Sequence, residues 1–386
     1  MIALRDLGCG HRSTPMIESH LLQPCTPTPA ARGFRMPAEW ETHDATWLIW
    51  PLRASDWPGK FPLIPFVYTE ILRHLTRVER VHLIVPDAAT ETMVKDLLQK
   101  PAVNLNAVQF WPLSTDRSWI RDCGPIYLLN PQGQKAILDW RFNAWAKYDD
   151  WQADDALPSA IARLQQLPYW QPVVYDQRVV LEGGAIDVNG EGWLLTTEEC
   201  LLSTTQQRNP HLDAKNYERL FADYLSCSQV IWLKRGITGD DTHGHVDDLA
   251  RFVAPRTVVA VVENNPNDDN YLPLQENLDI LRHWRGPAGE KLEVVPLPMP
   301  QPLYYEGTRL PASYANFYIA NGLVLVPTFN DPADRHALGI LADLFPDREV
   351  VGIHCVDLVW GLGTLHCMTQ QEPRPTCNSP PTNNNS

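Results

Sequence analysis

Apolar residues in the segment 217–225 recur at the spacing of a single helix face. Tyr217, Leu220, Phe221, Tyr224 and Leu225 fall at i, i+3, i+4, i+7 and i+8. This spacing predicts an amphipathic helix packed on a core. The same type of pattern predicts helices over 66–78, 89–99, 156–167, 276–284 and 333–344.

Short runs of β-branched residues lie between these helical segments and predict strands. The runs are Val81-His-Leu-Ile-Val, Val230-Ile-Trp-Leu, Thr257-Val-Val-Ala-Val-Val, Leu323-Val-Leu-Val and Glu349-Val-Val-Gly-Ile. Helix and strand alternate along the chain, which predicts an α/β fold. Neither G-x-G-x-x-G nor G-x-x-x-x-G-K-[ST] occurs, so the usual fingerprints of nucleotide binding are missing.

The polarity of the chain predicts one domain between two tails. Residues 1–34 are expected to be a poorly ordered leader, since Thr26-Pro-Thr-Pro-Ala-Ala-Arg-Gly is typical of a linker. Met16 is an alternative start to Met1. No linker divides 35–374, which is predicted to be a single catalytic domain, and 375–386 is expected to be a disordered tail.

Charge and cysteine usage narrow the class of protein. The net charge of −14 over 386 residues argues against nucleic-acid binding and is compatible with a cationic substrate. The eight cysteines include no C-x-x-C pair and are spread along the chain, which favours reduced thiols in the cytoplasm. No apolar run reaches the roughly 18 residues of a membrane span, so no membrane association is expected.

The most polar segment is Gly239-Asp-Asp-Thr-His-Gly-His-Val-Asp-Asp. If a strand begins near His245, then His243, His245 and Asp247 share one face and could bind a metal such as zinc or iron. Alternatively, His245 is a general acid/base and Asp247 holds a cation. An acidic loop that hydrogen-bonds its own turns is the third interpretation.

Two further carboxylates are candidates. Asp122, in Trp119-Ile-Arg-Asp-Cys-Gly-Pro, is expected near a strand end or loop, and its simplest role is an ion pair with Arg121. Glu182 follows Val179-Val-Leu and is expected at a turn, presented rather than buried.

Cys367 is the best candidate nucleophile, with Cys123 as its rival. It lies in Gly361-Leu-Gly-Thr-Leu-His-Cys-Met, between glycines that allow close backbone approach and a polar Thr-Gln-Gln run. No G-x-S-x-G elbow is present, and the order of histidine and cysteine differs from papain-like proteases. One thiol, one histidine and several carboxylates suit a guanidinium electrophile, which is planar and cationic.

These segments resemble the agmatine deiminases, in the family shared with bacterial peptidylarginine deiminases. The likeness runs from Phe34-Arg-Met-Pro-Ala-Glu-Trp to Gln371-Glu-Pro. It includes Phe142-Asn-Ala-Trp, Leu181-Glu-Gly-Gly, Leu195-Thr-Thr-Glu-Glu-Cys, Arg208-Asn-Pro-His and Tyr314-Ala-Asn-Phe. The resemblance implies a five-fold pseudosymmetric α/β propeller of ββαβ modules, without cofactor or metal, and allows a homodimer.

The resemblance also assigns roles to residues. It implies Cys367 as nucleophile, His245 as general acid/base, and Asp122 and Asp247 as guanidinium-binding carboxylates. It implies Trp119, Asp241 and Glu182 as substrate-binding residues. The expected reaction converts agmatine to N-carbamoylputrescine and ammonia through a covalent amidino-cysteine. Alternatives are deimination of peptidyl or free arginine, an inactive guanidino-binding protein, or the metal-binding protein built on His243.

The chain departs from the family pattern where the far end of a substrate would lie. Asp241 stands where familiar agmatine deiminases carry Glu, and Thr242-His-Gly-His replaces Thr-Asp-Gly-His. The early loop reads Ser55-Asp-Trp-Pro-Gly instead of an Asn-Trp-Arg form, and Gly361-Leu-Gly-Thr replaces three glycines and an asparagine. The predicted catalytic residues are retained, so these departures concern recognition of the distal amine.

Overall fold

The computed structural model describes residues 27–99 and 103–375. The predicted leader therefore lies outside the described residues as far as residue 26. Its last part, 27–34, contains a 3-10 turn at Ala30–Arg32 and the buried side chain of Phe34. The predicted tail also lies outside the described residues, apart from residue 375.

The predicted amphipathic segments are helical, with ends that differ by a few residues. The helices are α1 (Ile64–Leu75), α2 (Ala88–Gln99), α3 (Ile120–Cys123), α4 (Gln152–Asp155), α5 (Leu157–Gln165), α6 (Glu198–Leu202), α7 (Ala214–Leu220), α8 (Tyr271–His283) and α9 (Pro332–Leu344). The predicted helix over 217–225 continues from α7 into a π-helical turn at Phe221–Leu225. Within the described part of the chain, the helices are too short or too polar to cross a bilayer.

The predicted β-branched runs are strands. The strands are β1 (His43–Ile49), β2 (Arg80–Val85), β3 (Val108–Pro112), β4 (Ile126–Leu129), β5 (Lys135–Leu138), β6 (Tyr169–Trp170), β7 (Val173–Val174), β8 (Gln177–Arg178), β9 (Asp187–Val188), β10 (Trp193–Thr197), β11 (Gln229–Leu233), β12 (Ala250–Ala254), β13 (Thr257–Val262), β14 (Glu293–Pro298), β15 (Tyr304–Tyr305), β16 (Thr308–Arg309), β17 (Tyr318–Ala320), β18 (Leu323–Thr328), β19 (Glu349–His354) and β20 (Gln370–Pro373). The fold is therefore mixed α/β, as the alternation predicted.

Five sheets of the described chain repeat one strand order. They are β20-β1-β2-β3, β4-β5-β6, β9-β10-β11, β12-β13-β14 and β17-β18-β19. In each sheet the first two strands pair antiparallel and the next pair is parallel. A parallel pair needs a long crossover, and here each crossover contains helix, for example α8 between β13 and β14.

The last described strand completes the first sheet. In β20, Gln370 pairs with Trp47 and Gln371 with Thr46 of β1. The apolar strand faces and helix stripes pack into a large core cluster, which includes Trp47, Leu325 and Phe252. A smaller cluster lies around Leu138, Leu194 and the helix α7. The pairing of β20 with β1 brings the preceding segment, which carries Cys367, back against the N-terminal part of the domain.

One local prediction in the polar segment was wrong. No strand begins near His245: the segment Val246–Asp248 is a 3-10 turn, and β12 begins only at Ala250. His243 takes a left-handed backbone with φ of 64°, so alternation of side chains along a strand does not apply. Asp122, expected near a strand end or loop, lies in the short helix α3 just before the start of β4.

Candidate active site

The predicted nucleophile opens onto a cavity of about 620 Å³. The cavity is lined by Cys367 itself and also by Asp122, Trp119 and Gly363. The remaining lining residues are Arg53, Ser55, Asp56, Pro58, Arg117, Trp145, Tyr148, Asp149, Asp150, Asp241, Thr242, Trp360, Gly361 and Leu362. A concave site with aromatic walls and several polar groups is typical of a small-molecule site.

The site residues come from equivalent places in the five sheets. Asp122 precedes β4, Glu182 precedes β9, Asp247 precedes β12 and Cys367 precedes β20, each by a few residues. Asn316, which precedes β17, occupies the fifth equivalent position. The segment that enters each sheet therefore supplies one polar side chain to the same region.

Cys367 is held by side-chain and backbone contacts. Asn316 Nδ2 donates to its Sγ at 3.1 Å, and Asn316 Oδ1 accepts from the N–H of His366 at 3.0 Å. Its carbonyl accepts from the N–H of Arg121 at 3.1 Å. Burial raises the pKa of the Cys367 thiol well above its usual value, and the charges of Asp247, Asp248 and Asp122 raise it further. The free enzyme therefore holds a thiol that a bound cation would help to ionise.

His245 is fully buried between two carboxylates. Its Nδ1 lies 3.7 Å from Asp122 Oδ1, and its Nε2 lies 3.9 Å from Glu182 Oε2. Burial would lower the pKa of His245, but Asp122, Cys200 and Asp247 raise it well above its usual value. The imidazole is therefore charged in the free site and can donate a proton.

Asp122 faces His245 and accepts two hydrogen bonds. The indole N–H of Trp145 donates to Oδ2 at 2.9 Å, and the N–H of Gly184 donates to Oδ1 at 3.1 Å. Burial raises the pKa of Asp122 to about 6, with His245 acting against the shift and Asp247 adding to it. At neutral pH the carboxylate is mainly ionised and can bind a cation.

Asp247 is the second ionised carboxylate beside the thiol. Its Oδ2 contacts His366 Nδ1 at 2.6 Å and lies 3.8 Å from Cys367 Sγ. Its Oδ1 has no hydrogen-bond partner among the described residues. Burial would raise the pKa of Asp247, but His366 and His245 lower it. A free, ionised oxygen beside the thiol suits the N–H groups of a guanidinium.

Glu182 is buried, contrary to the prediction that a turn would present it. Its side chain has no exposed surface and pairs with Arg208, whose Nε lies 3.0 Å from Oε1. Arg208 also donates to the carbonyl of Thr242 at 2.5 Å. Because a buried carboxylate needs a partner, this ion pair explains why Glu182 can lie beside His245. Glu182 lies beside the imidazole without a hydrogen bond to it, since Oε2 is 3.9 Å from His245 Nε2 and Oε1 is engaged by Arg208.

Gly184 lies at the centre of these groups. A Cβ atom there would lie 2.6 Å from His245 Nδ1, 2.8 Å from Asp122 Oδ1 and 3.1 Å from Asp247 Oδ2. The second glycine of Leu181-Glu-Gly-Gly thus leaves space for the two carboxylates and the imidazole.

Sequence reasoning missed a buried polar network behind the site. His366 Nε2 contacts Glu39 Oε2 at 2.8 Å, and the same oxygen lies 2.9 Å from Arg251 Nη2 and 3.3 Å from Arg121 Nη2. Burial would raise the pKa of Glu39, but Arg251, His366 and Arg121 hold it well below its usual value. Arg121 was predicted to pair with Asp122, its neighbour in sequence; it contacts Glu39 and Gln371 instead.

Two of the predicted substrate-binding residues, Trp119 and Asp241, line the cavity at different places, whereas the buried Glu182 is not among its lining residues. Trp119 packs beside Trp57, with ring centroids 5.4 Å apart, and a Cβ at Gly363 would lie 2.9 Å from its ring. The Asp241 carboxylate already pairs with Lys147, and the hydroxyl of Tyr148 donates to it at 2.7 Å. Cys123, the rival nucleophile, points to the carbonyl of Trp119 at 3.3 Å and does not line the cavity.

The predicted metal-binding row of His243, His245 and Asp247 does not form. The left-handed backbone of His243 prevents its side chain from sharing a strand face with His245 and Asp247. Its Nε2 contacts Ser203 Oγ at 3.1 Å instead. In residues 27–99 and 103–375, the potential ligands that do cluster are Glu182, Cys200 and His245, within 4.8 Å of one another. This grouping lacks both His243 and Asp247.

Fold and site together define a family of guanidino-modifying enzymes. A sequence profile described as Porphyromonas-type peptidyl-arginine deiminase matches residues 35–373, and the chain belongs to this family. It is similar to the agmatine deiminase of Pseudomonas aeruginosa (strain LESB58), with 37% identity over 91% of this chain and 98% of the relative.

Solved structures give the same result. The agmatine deiminase of Enterococcus faecalis has a TM-score of 0.83 at 33% identity, over 92% of this chain and all of its own. A cysteine-to-serine agmatine deiminase of C. jejuni with substrate bound has a TM-score of 0.78 at 31% identity, over 89% of this chain and 97% of its own.

Proposed function

We propose that the protein hydrolyses agmatine to N-carbamoylputrescine and ammonia. The observation that carries the proposal is the Cys367 thiol in the cavity wall with Asp122, while Asp247 lies 3.8 Å from the thiol and the His245 imidazole lies 3.7 Å from Asp122. Relatives that are agmatine deiminases at 35–37% identity over nearly their full length support the choice of substrate. The product would enter the class of reactions that form putrescine and other polyamines.

The proposed reaction begins with binding of the guanidinium between Asp122 and Asp247. These carboxylates keep the group cationic and its central carbon electrophilic. The substrate's charge offsets the carboxylates that suppress ionisation of Cys367, and the thiol proton leaves to solvent through the cavity. The thiolate then attacks the central carbon and forms a C–S bond.

Two steps complete the reaction. His245 donates its proton to a terminal nitrogen of the guanidinium. The C–N bond breaks, ammonia departs, and an amidino-thioether remains on Cys367. His245, now neutral, takes a proton from water as the water oxygen attacks the same carbon. Breakage of the C–S bond returns the thiolate and releases the ureido product, whose remaining hydroxyl proton passes to solvent. The step uses no redox partner.

An ammonia-release assay with agmatine, free arginine, peptidyl-arginine and putrescine tests the proposal. Agmatine is expected to react fastest, and putrescine, which lacks a guanidinium, is not expected to react. Faster turnover of peptidyl-arginine would move the assignment to that substrate. Absence of ammonia from every guanidino compound would overturn the enzymatic proposal.

Substitution of the nucleophile provides a second test. Cys367→Ser is expected to abolish ammonia release while agmatine binding by calorimetry is retained. Cys123→Ser is the matched control, because its hydroxyl can keep the bond to Trp119 and it lies outside the cavity. Near-native turnover by Cys367→Ser would exclude this cysteine, and a mass increase on Cys367 in quenched reactions would support the covalent step.

We also propose that the five sheets are modules of a pseudosymmetric propeller around the site. Their common strand order supports this arrangement, as does the supply of one site residue from the entry segment of each sheet. The homodimer, the cytoplasmic location, and the absence of nucleic-acid partners and of a cofactor remain predictions.

A further inference from the structure

The segment Trp145–Tyr148 connects the inner and outer parts of the cavity. Ala144, Trp145 and Ala146 take left-handed backbones with φ of 49°, 58° and 53°. Successive left-handed non-glycine residues cost about 1–2 kcal/mol each, so tertiary contacts must hold this turn. Trp145 provides one contact through its bond to Asp122, and Lys147 and Tyr148 provide others through Asp241.

The charged groups at the outer part of the cavity are largely paired. Arg117 lies 2.9 Å from Asp56 and 2.9 Å from Asp150, and is only 12% exposed. Arg53 also contacts Asp150. Displacing either arginine would break several bonds and leave a half-buried carboxylate without a partner.

Lys147 differs from these arginines. Its side chain is 40% exposed and its single ion-pair partner among the described residues is Asp241, which is 18% exposed. Exposed pairs with lysine contribute little free energy, because the ammonium is well hydrated and the side chain is flexible. Among the paired carboxylates of the outer cavity, Asp241 is therefore the one whose counterion an incoming cation can displace at the lowest cost.

We propose that Lys147 is a substrate-displaced counterion that sets the affinity for the distal ammonium. In the free enzyme its ammonium occupies Asp241, and the distal ammonium of agmatine replaces it there. The inference rests on the proposed function, since it concerns the far end of the same substrate.

The exchange conserves the local chemistry. One primary ammonium replaces another, so the charge on Asp241 stays compensated and Tyr148 keeps its hydrogen bond. Asp149 lines the same cavity, is exposed, and has no ion-pair partner in the described part of the chain. It is positioned two residues after Lys147, where it can accept the released side chain. Lys147 thus acts as an internal competitor of cationic guanidino substrates.

The test compares agmatine with butylguanidine, which has the same carbon chain but no distal amine. Lys147→Met is expected to lower the KM for agmatine by about two- to five-fold, the range that loss of an exposed ion pair produces. The KM for butylguanidine and both kcat values are expected to stay within about 1.5-fold. Lys147→Arg, which keeps the charge, is expected to leave the KM for agmatine at or above the wild-type value.

Two further variants separate charge on Asp241 from general surface charge. Asp241→Asn is expected to raise the KM for agmatine and to leave the KM for butylguanidine unchanged. Lys234→Met is the matched control: Lys234 is 39% exposed, pairs with Glu198, and does not line the cavity. It is expected to change neither KM.

The outcomes distinguish the inference from the function on which it rests. The decisive quantity is the KM for agmatine divided by the KM for butylguanidine. If the wild-type enzyme deiminates agmatine but Lys147→Met leaves this ratio unchanged or raises it, the inference is wrong and the function stands. If the wild-type enzyme releases ammonia from neither compound, the proposed function fails and the inference fails with it.

Discussion

At the residue scale, the two guanidinium-facing carboxylates have opposite pKa shifts. His366 and His245 lower the pKa of Asp247 although the carboxylate is buried. Burial raises the pKa of Asp122 to about 6. Both are ionised at neutral pH, but only Asp122 gains a proton in mildly acidic solution. We therefore expect Asp122 to be the group that limits activity on the acid side.

The acid limb of the pH profile tests this difference. Protonation neutralises Asp122 and removes its attraction for the guanidinium, so kcat/KM for agmatine is expected to fall as pH drops through about 6. Trp145→Phe removes an N–H donor that lowers the pKa of Asp122. The acid limb is then expected to move up by about one pH unit, since such a bond is worth ~1.5 kcal/mol.

Trp360→Phe is the control for that experiment. Trp360 lines the same cavity, but its indole N–H donates to the carbonyl of Pro58 at 2.9 Å. Its loss should leave the acid limb in place. An unchanged or lowered limb in Trp145→Phe would show that Asp122 is not the titrating group.

At the element scale, the turn at Gly183–Ala185 creates space for the site. The expected result of Gly184→Ala is a fall in kcat/KM of at least about 100-fold, because the methyl group would displace His245 or Asp122 from productive geometry. Gly339→Ala, in α9, is the control: a Cβ there meets nothing within 4 Å. This control should retain full turnover and gain up to ~1 kcal/mol in stability.

Thermal melting of both variants distinguishes a blocked site from a damaged fold. Gly184→Ala that melts near the wild-type temperature and lacks turnover would support the packing argument. Full activity would contradict the assignment of His245, Asp122 and Asp247 to one site.

Local pattern predicted the regular elements because the spacing of apolar and β-branched residues can be read within each segment. The run Thr257–Val262 is β-branched apart from Ala260, and 333–344 repeats apolar residues on one helix face, so each indicates its own structure. The segment around His245 gave no such signal. Its 3-10 turn depends on contacts such as the bond from Thr197 Oγ1 to the carbonyl of Gly244 at 2.6 Å, which sequence alone does not reveal.

The site was predicted only in part, because its motifs can be read in the sequence but the contacts between them cannot. Cys367, His245, Asp122 and Asp247 stand in recognisable motifs, and the structure brings them together. Two partners of His366, Glu39 and Asp247, lie 327 and 119 residues away in sequence. Burial of Glu182 likewise depends on Arg208, whose motif was noted without a role. A polar residue just before each repeated strand was the signal that could have indicated Asn316.

At the scale of the whole molecule, Glu39 joins distant elements behind the site. Besides His366, Arg251 and Arg121, it accepts from the N–H of Ile319 in β17 at 2.9 Å. The N-terminal segment is thereby connected to α3, β12, β17 and the segment of the nucleophile. This buried network forms only when the sheets assemble.

Glu39→Gln tests the contribution of this network to stability. The variant removes the counter-charge of Arg121 and one of the two counter-charges of Arg251, which keeps Asp187, and is expected to lose ~3 kcal/mol of unfolding free energy at pH 7.5. The pKa of Glu39 is lowered in the folded protein, so its contribution is fully present above the usual value of 4.5, begins to decline below it, and is lost as pH falls through the lower pKa of the folded state. Urea unfolding should therefore show a smaller difference between variant and wild type at pH 4.

Glu349→Gln is the control for the stability measurement. Glu349 is 51% exposed and pairs with Arg77, so its loss should change the unfolding free energy by less than ~0.5 kcal/mol. A Glu39→Gln variant as stable as this control would show that the network does not stabilise the fold.

The pairing of β20 with β1 has a consequence for synthesis of the chain. A ribosome makes Asp122, Glu182 and His245 long before it makes Cys367, and the strand that seats Cys367 is the last one described. A growing chain has therefore received the strands of four sheets and three of the site residues while it still lacks the proposed nucleophile and His366, the partner of Asp247. We expect catalysis only after the final strand pairs with the first, and no ammonia release by a truncated product that ends before residue 367.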